Sequence, residues 1–495
     1  MSLASDRSDC GGAVRSDHRQ EQRHPQPIFL LSTLVPPDPS CYTKKAEDWP
    51  AEFCKSALLP AGEYPFDLYD RVPIIMLNKR REGGADERRI AYLTSQYPAT
   101  SHTFILREVA AVRAAGVSID TFSVRPASDE ERTDSAIAAE AATTFVILNQ
   151  GLVRIAAAHV RLLAGAPAKY GRVFVEALSH RPPGMRGLAL AFAHFAEAGV
   201  LAEELQRRRI GHLHNHFANS AATVGFLAAK MIDLPWSFMI HGISETDYPA
   251  GLTLPAKVKA ARFVTCASWF GRAQAMRVVE PEHWPKISVV RCGVPLNQLK
   301  PGKAVRSGDR ILCVGRLSPE KGQAGLLDVF AAVRERIGDV RLELIGSGPD
   351  ESTLRARTAS LGIEGAVTFL GRRSESETLA AIANADILVV ASFMEGLPIV
   401  LMEAMALGTA VIAPRLAGIP ELVEDEHTGL LFTPSNWREL ELAIERLLTD
   451  EGLRARVVKH ARDLIAKEFD TAQSAKALKT LFAREIASVD AQAIL

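Results

Sequence analysis

Residues 385–403 read Ala385-Asp-Ile-Leu-Val-Val-Ala-Ser-Phe-Met-Glu395-Gly-Leu-Pro-Ile-Val-Leu-Met-Glu403. The apolar run Ala385–Ser392 predicts a buried strand. Pro398 suits the first turn of a helix that continues through Leu407, where Gly408 ends it. Glu395 then lies in the loop and Glu403 on the helix. With a rise of about 1.5 Å per residue the two acids stand roughly 10 Å apart, too far to share a proton but near the span from a sugar ring to a ribose. Between them the free amides of Leu397–Ile399 and the positive end of the helix dipole favour a phosphate. A surface acid followed by an ordinary helical acid would read the same way, so the upstream loops decide.

The segment Arg310–Lys321 (RILCVGRLSPEK) is an apolar strand running into a loop that carries Arg316 and Lys321. Ligands of open α/β sheets sit at that carboxyl edge, and an Arg fork with a Lys point charge can neutralise a diphosphate. A third loop, Ile345–Pro349 (IGSGP), repeats the pattern of a strand followed by a glycine-rich turn.

Together the GR-x4-K loop, the E-x7-E spacing and the run Ala417–Phe432 (AGIPELVEDEHTGLLF) resemble the retaining glycosyltransferases of family 4. These have the GT-B fold, an α/β architecture of two Rossmann-like, doubly wound parallel-sheet domains facing a deep cleft. The resemblance spans roughly residues 89–475 and is closest to enzymes that build colanic-acid-like exopolysaccharides. It implies transfer of a hexose from a nucleotide diphosphate sugar, UDP-hexose first and GDP-mannose second, to a glycan or a lipid-diphosphate-linked acceptor. By the same resemblance, Arg316 and Lys321 bind the diphosphate and Gly346 belongs to the donor loop. Glu395 faces the donor sugar and Glu403 accepts from the ribose hydroxyls. Gly396, Leu397, Pro398 and Ile399 meet sugar or phosphate, and the loop containing Gly371 and Arg372 approaches the base. His241, at the end of PWSFMIH, lies near the donor sugar, so His241, Glu395, Arg316 and Lys321 are the candidate catalytic residues.

Ser101, Thr103 and His216 are the acceptor-side candidates. The stretch Ser95–Thr103 resembles the family's "FP-x-x-SETF" run, with His102 where Glu is usual. Ser101 or Thr103 could equally serve as a plain helix cap. His214 and His216 have strand-like spacing and face one side; lacking a third ligand at suitable spacing, they read as packed or hydrogen-bonded rather than metal-binding. Two family positions differ: Pro295 follows Gly293-Val294 in place of Asp, and Ser347 replaces a frequent Asp. The chain has no D-x-D pair, so no metal cofactor is expected and charge neutralisation falls to Arg316 and Lys321.

A chain of 495 residues is too long for one core, and 58 basic against 58 acidic side chains argue against a general nucleic-acid binder. Cys266, Cys292 and Cys313 fall in or beside predicted strands, as reduced thiols of a cytoplasmic protein would. No uninterrupted apolar run of about 18 residues occurs, so no membrane span is expected. Residues 1–85 mix Pro, Ser, Asp and Arg without a period and are expected to be disordered or dispensable, with a working start near Met76; a partner-binding tail is the competing idea. The first domain is expected at 86–295, the second at 296–470 and a returning helix at 471–495. Residues 151–209 hold nine basic against four acidic side chains with apolar helical stretches, a pattern that suits peripheral contact with an anionic membrane but also a charged face on a soluble domain. A nucleotide-sugar epimerase and a silent nucleotide-sugar sensor are the alternatives to transfer.

Overall fold

The computed structural model describes residues 89–492 apart from 129–130, 132–133, 248–249 and 301–308. The expectation for residues 1–85 therefore lies outside the described residues, as does the start of the second expected domain at 301–308.

Seven strands form the first sheet: β1 Arg89–Gln96, β2 Ile119–Arg125, β3 Phe145–Val146, β4 Ile210–His216, β5 Trp236–Ile240, β6 Val264–Cys266 and β7 Ile287–Val289. Six form the second: β8 Arg310–Val314, β9 Arg341–Ile345, β10 Val367–Gly371, β11 Ile387–Val389, β12 Ala410–Pro414 and β13 Leu430–Phe432. The orders are β3-β2-β1-β4-β5-β6-β7 and β10-β9-β8-β11-β12-β13, and every pairing is parallel. In both sheets the order reverses beside the first strand, and the carboxyl ends at that point are where such folds place a ligand.

Around the first sheet lie α1 Thr103–Ala114, α2 Ser135–Thr143, α3 Gly151–Gly165, α4 Pro167–Ser179, α5 Met185–Arg207, α6 Ser220–Ile232, α7 Leu254–Ala260 and α8 Trp269–Met276. Around the second lie α9 Gln323–Ile337, α10 Glu351–Ser360, α11 Glu375–Asn384, α12 Ile399–Leu407, α13 Trp437–Thr449 and α14 Glu451–Glu468; α15, Thr471–Gln492, ends the fold. Strands covered on both faces must be apolar throughout, and β5, β11 and β12 are buried at every position. One core lies between the first sheet and α5 and α6; another lies on its opposite face, beneath α1 and α15. Two further cores flank the second sheet, one involving α9 and α13, the other α12 and α14.

The chain passes between the domains twice, at neighbouring points. Val294 donates to Phe469 (2.8 Å) and accepts from the amide of Thr471 (3.2 Å), so both crossings run side by side. Beyond them α15 returns to the first domain, where Phe482 packs on Tyr92, His212, His214 and Phe263. Gly293 fits this junction because a Cβ there would lie 2.5 Å from the amide of Thr471.

Helix α5 is the one described helix long and apolar enough to cross a membrane by length and composition. Its second half, from Phe195 to Leu205, is mostly buried against α6 and the sheet, which makes it a core helix of this domain.

Candidate active site

The donor-side loops are stitched together by main chain. The amide of Gly315 donates to Ile345, that of Leu317 to Ser347, and that of Gly346 to Gly371, at 2.9, 3.1 and 2.9 Å. Gly346 has φ +135°, and a Cβ there would lie 1.9 Å from the carbonyl of Gly315, so only glycine permits this approach. Arg372 donates through Nε to Ser347 Oγ (3.0 Å), which gives the serine that stands in place of Asp a positioning role toward the base loop.

The same lacing brings Lys321 to Glu395. The amide of Phe393 donates to Glu320 (2.8 Å), and Gly322, in the left-handed region, lies so close to Ala391 that a Cβ would meet its carbonyl at 2.2 Å. Lys321 Nζ then donates to Glu395 Oε1 at 2.6 Å, and Ser392 Oγ donates to the same oxygen at 2.6 Å. The candidate sugar-binding carboxylate and the candidate phosphate-binding cation thus form one half-buried pair. Arg316 is exposed and has no ion-pair partner among the described residues.

Helix α12 begins one residue later than expected. Pro398 is its N-cap, with extended backbone, and no side chain caps the first turn; Gly408 ends it at φ +81°. Glu403 faces inward, nearly buried, and accepts from Arg107 Nη2 of α1 at 2.7 Å. Arg107 also binds Glu375 through Nε (3.1 Å) and Nη2 (2.6 Å). Burial pushes the Glu403 carboxyl above its ordinary range, and the Arg107 guanidinium only partly offsets it. Sequence reasoning missed Arg107 altogether.

On the first domain, His241 follows β5 and is boxed by Phe104, Phe217 and His216. Its Nε2 lies 3.0 Å from His216 Nδ1, and its Nδ1 lies 3.5 Å from Cys292 Sγ. Behind it, His216 Nε2 stands 3.3 Å from Glu108 Oε1, an ion-pair distance without hydrogen-bond geometry. Tyr92 donates to that same Glu108 oxygen at 3.2 Å. His214 shares Ser237 Oγ with His212, each at 2.7 Å. Burial holds the His214 and His241 imidazoles well below their usual value. Glu245 fixes the His241 corner by accepting from the amides of His241 (2.8 Å) and Gly242 (2.7 Å) through Oε1, and from that of Ala218 through Oε2 (2.5 Å). Burial raises the Glu245 carboxyl to about 7 and lowers its neighbour Lys257 to about 7.

Two acceptor-side expectations change. His216 is fully buried behind His241, so it supports that ring and does not present itself to a ligand. Thr103 is the first residue of α1, whose N-cap is His102 with no side-chain cap bond, so the plain-cap reading is not realised. Ser101 lies in the turn just before, in the short 3-10 helix Thr100–His102. The histidine pair is packed and hydrogen-bonded. Among the described residues no three His, Cys, Asp or Glu side chains gather as a metal cage.

The two halves meet at a tight seam. Gly396 lies so near the His241 carbonyl that a Cβ would be 2.2 Å away, and Ile399 and Phe104 each pack against the cluster of Met239, Ala267 and Cys292. Glu421 accepts from the amides of Trp269 (2.9 Å) and Phe270 (2.8 Å) at the start of α8 and from Arg291 Nη1 (2.5 Å), a clasp between domains. The cavity between His241, Ser268 and Gly396 holds only about 10 Å³, roughly the space of one water. A larger cavity, about 400 Å³, lies at the other edge of the first sheet, where Trp236 begins β5. Two of its cations are matched, Lys169 with Asp233 and Lys230 with Glu176, and Arg172 lines it as well.

Comparison with known proteins bears on the family and the fold. Residues 299–464 match the family described as glycosyl transferases group 1. Over 415 residues the chain is 26% identical to the colanic acid biosynthesis glycosyltransferase WcaL of Escherichia coli K12, covering 77% of this chain and 96% of that one. It is 32% identical over 193 residues to the amylovoran biosynthesis glycosyltransferase AmsK of Erwinia amylovora, covering 37% and 47%. Among solved structures, HepE of Anabaena with UDP and glucose superposes with a TM-score of 0.62 at 19% identity, over 80% of this chain and all of that one. Sucrose-phosphate synthase of Thermosynechococcus elongatus does so with 0.64, also at 19%, over 81% and all of that chain. The two-sheet architecture is the GT-B fold.

Proposed function

We propose, from the premise that this chain is a glycosyltransferase whose residues 299–464 form a group 1 domain, that it transfers a hexose with retention to a growing surface glycan. UDP-hexose is the favoured donor and GDP-mannose the second. The observation that carries this reading is the seam itself: Lys321 and Glu395 paired 2.6 Å apart, in a loop whose next residue, Gly396, touches the His241 corner of the other domain. A cation, a carboxylate and the main chain of the His241 corner thereby meet where the two domains join.

In this reaction the anomeric C–O bond to the diphosphate breaks and the acceptor hydroxyl attacks on the same face. Its proton passes to the departing phosphate oxygen. Arg316 and Lys321 stabilise the charge that grows on the leaving diphosphate, without a metal. Glu395, already held by Lys321 and Ser392, accepts from sugar hydroxyls and fixes the ring. His241, kept neutral by burial, would donate or accept at a sugar hydroxyl by exchanging the contact of its Nδ1 with Cys292, without adding a charge beside the forming cation. Its partner His216, steadied by Glu108 and Tyr92, sets which ring nitrogen carries the proton.

Glu403 reaches the ribose once Arg107 shares or releases it. Donor entry goes with parting of the domains at the Glu421 clasp and the Arg107 bridge, the side-chain ties that join them. The names of the exopolysaccharide relatives support a glycan acceptor, which we take to be free or lipid-diphosphate-linked, and buried, unbridged Cys266, Cys292 and Cys313 fit a reducing cytoplasm.

The test is incubation of the full chain with UDP-hexoses and GDP-mannose and a lipid-linked acceptor, followed by NMR of the product's anomeric proton. An α-linked product from an α-linked donor is the expected result. An inverted product removes the retaining mechanism, and free epimerised sugar with no linkage would replace transfer by epimerisation.

A further inference from the structure

The surplus of positive charge along residues 151–209 is largely absorbed within the domain. Arg154, Arg207 and Arg208 all bind the buried Glu204, Arg161 pairs with Glu203, and Lys169 pairs with Asp233. What remains at the surface is different in kind: an apolar face on the three-helix unit α3–α4–α5.

On α3 the exposed stripe is Val153, Ala156, Val160 and Leu163, at helical spacing, with Leu152 beside it; Leu152 and Val153 are 83% and 85% exposed. An ordinary surface helix turns this side toward water with charge. The adjoining helices continue the pattern, with Val175 outward on α4 and Met185 and Phe192 on α5. The three helices pack on one another, and Phe174 contacts Phe192 at 5.8 Å, so their outward sides adjoin. Helix α14 shows the contrast, since its exposed residues include Glu451, Arg456, Lys459, Arg462, Asp463 and Lys467. Single exposed apolar residues are commonplace, but a run of them across three helices marks an interaction surface.

The charges on that face identify the occupant. From 151 to 193 the exposed charged residues are Arg161, which pairs with the largely covered Glu203, and Arg172 and Arg186; none is acidic. Arg172 and Arg186 have no ion-pair partner among the described residues. An apolar stripe edged only by arginines matches the interface of a bilayer with anionic headgroups, where apolar side chains enter the acyl boundary and guanidinium groups meet phosphate.

We infer that the outward face of α3–α4–α5 docks the acceptor-binding domain on an anionic lipid surface. This face is independent of the donor chemistry. Joined to the proposed transfer, it would bring the cleft to an acceptor carried on a lipid.

The test is flotation of the full chain with phosphatidylcholine vesicles, with and without phosphatidylglycerol, at low and high salt. Wild-type protein is expected to float with the anionic vesicles and to be released by salt. Combined Val153→Glu and Val160→Glu replacement should abolish flotation while circular dichroism and the melting midpoint stay unchanged, since neither side chain is buried. Combined Arg172→Ala and Arg186→Ala should weaken partitioning by about 25-fold, near fivefold per arginine. Failure to float with anionic vesicles, equal flotation with neutral ones, or unchanged flotation of the Glu variant would each overturn the inference. So would sedimentation showing a dimer that this variant dissociates and that does not float, because the face would then be a contact between copies. Flotation without sugar transfer would leave the docking face standing and remove only the proposed reaction.

Discussion

The two halves of the cleft are built in opposite ways. On the donor side, Arg316, Lys321, Gly346, Glu395 and Gly396 sit in loops after β8, β9 and β11, and backbone hydrogen bonds with close glycine contacts bring those loops together. On the acceptor side, the functional surface rests on a side-chain network drawn from distant strands and helices: Glu108 on α1, Tyr92 on β1, His216 on β4, His241 after β5 and Cys292 after β7. A backbone-laced site tolerates change in its neighbours as long as the glycines stay. A side-chain network depends on each member, because a lost partner leaves a buried polar group unsatisfied.

The contrast can be broken most forcefully at α15. Phe482 fills the acceptor-side core under Tyr92, His212 and Phe263, so Phe482→Ala should cost about 3–5 kcal/mol of stability, read by denaturant unfolding. The donor half should keep its fold; if both halves lost stability equally, the separation into two constructions would be wrong.

Within the donor half, Glu395→Ala should reduce transfer by about a hundred- to a thousandfold, the scale of losing one transition-state contact, while nucleotide binding survives. Turnover close to that of the parent enzyme would show that the Lys321–Glu395 pair is a structural tie.

The acceptor-side counterpart is Glu108→Gln. It keeps shape but removes the charge that steadies His216, and should lower kcat by about ten- to a hundredfold, the range for groups that orient a primary residue, with donor KM little changed. A fall in kcat with donor KM and the melting midpoint held is a pattern that loss of packing alone would not produce.

The smallest effect is on pH and distinguishes the halves by stability. Burial lowers His212 to about 3 and holds His214 and His241 below 6.5, so these rings are neutral in the folded state. As pH falls through 6.5 the unfolded chain takes up protons that the folded chain does not. Stability present above 6.5 is therefore lost toward about 3 for His212, at about 1.4 kcal/mol per pH unit for each such ring. Melting curves over that interval should flatten in His212→Gln, and an unchanged slope would show that other groups carry the acid sensitivity.

What could be read from the sequence follows the same division. Short spacings such as Glu395 to Glu403 or Arg316 to Lys321 fix a loop and the helix beside it, so the donor motifs and the strands that lead into them were visible. The contact of Lys321 with Glu395 spans 74 positions, and that of Arg107 with Glu403 spans 296, so no local pattern announces either. His216 was placed among the ligand contacts because strand spacing says which residues share a face and not which of them is covered. The basic surplus of residues 151–209 misdirected attention to charge; folding pairs most of it and leaves an apolar face that formal charge does not reveal.

The central claim is that the loops around Arg316, Lys321 and Glu395 bind a nucleotide diphosphate. Its most direct test is thermal unfolding of the full chain with UDP or GDP, with Arg316→Ala alongside. A ligand that binds only the folded state, at about a hundredfold excess over Kd, adds about 2.7 kcal/mol. A raised midpoint with UDP that is lost in Arg316→Ala is the predicted result. No rise with either nucleotide, or an equal rise in the variant, would contradict the assignment.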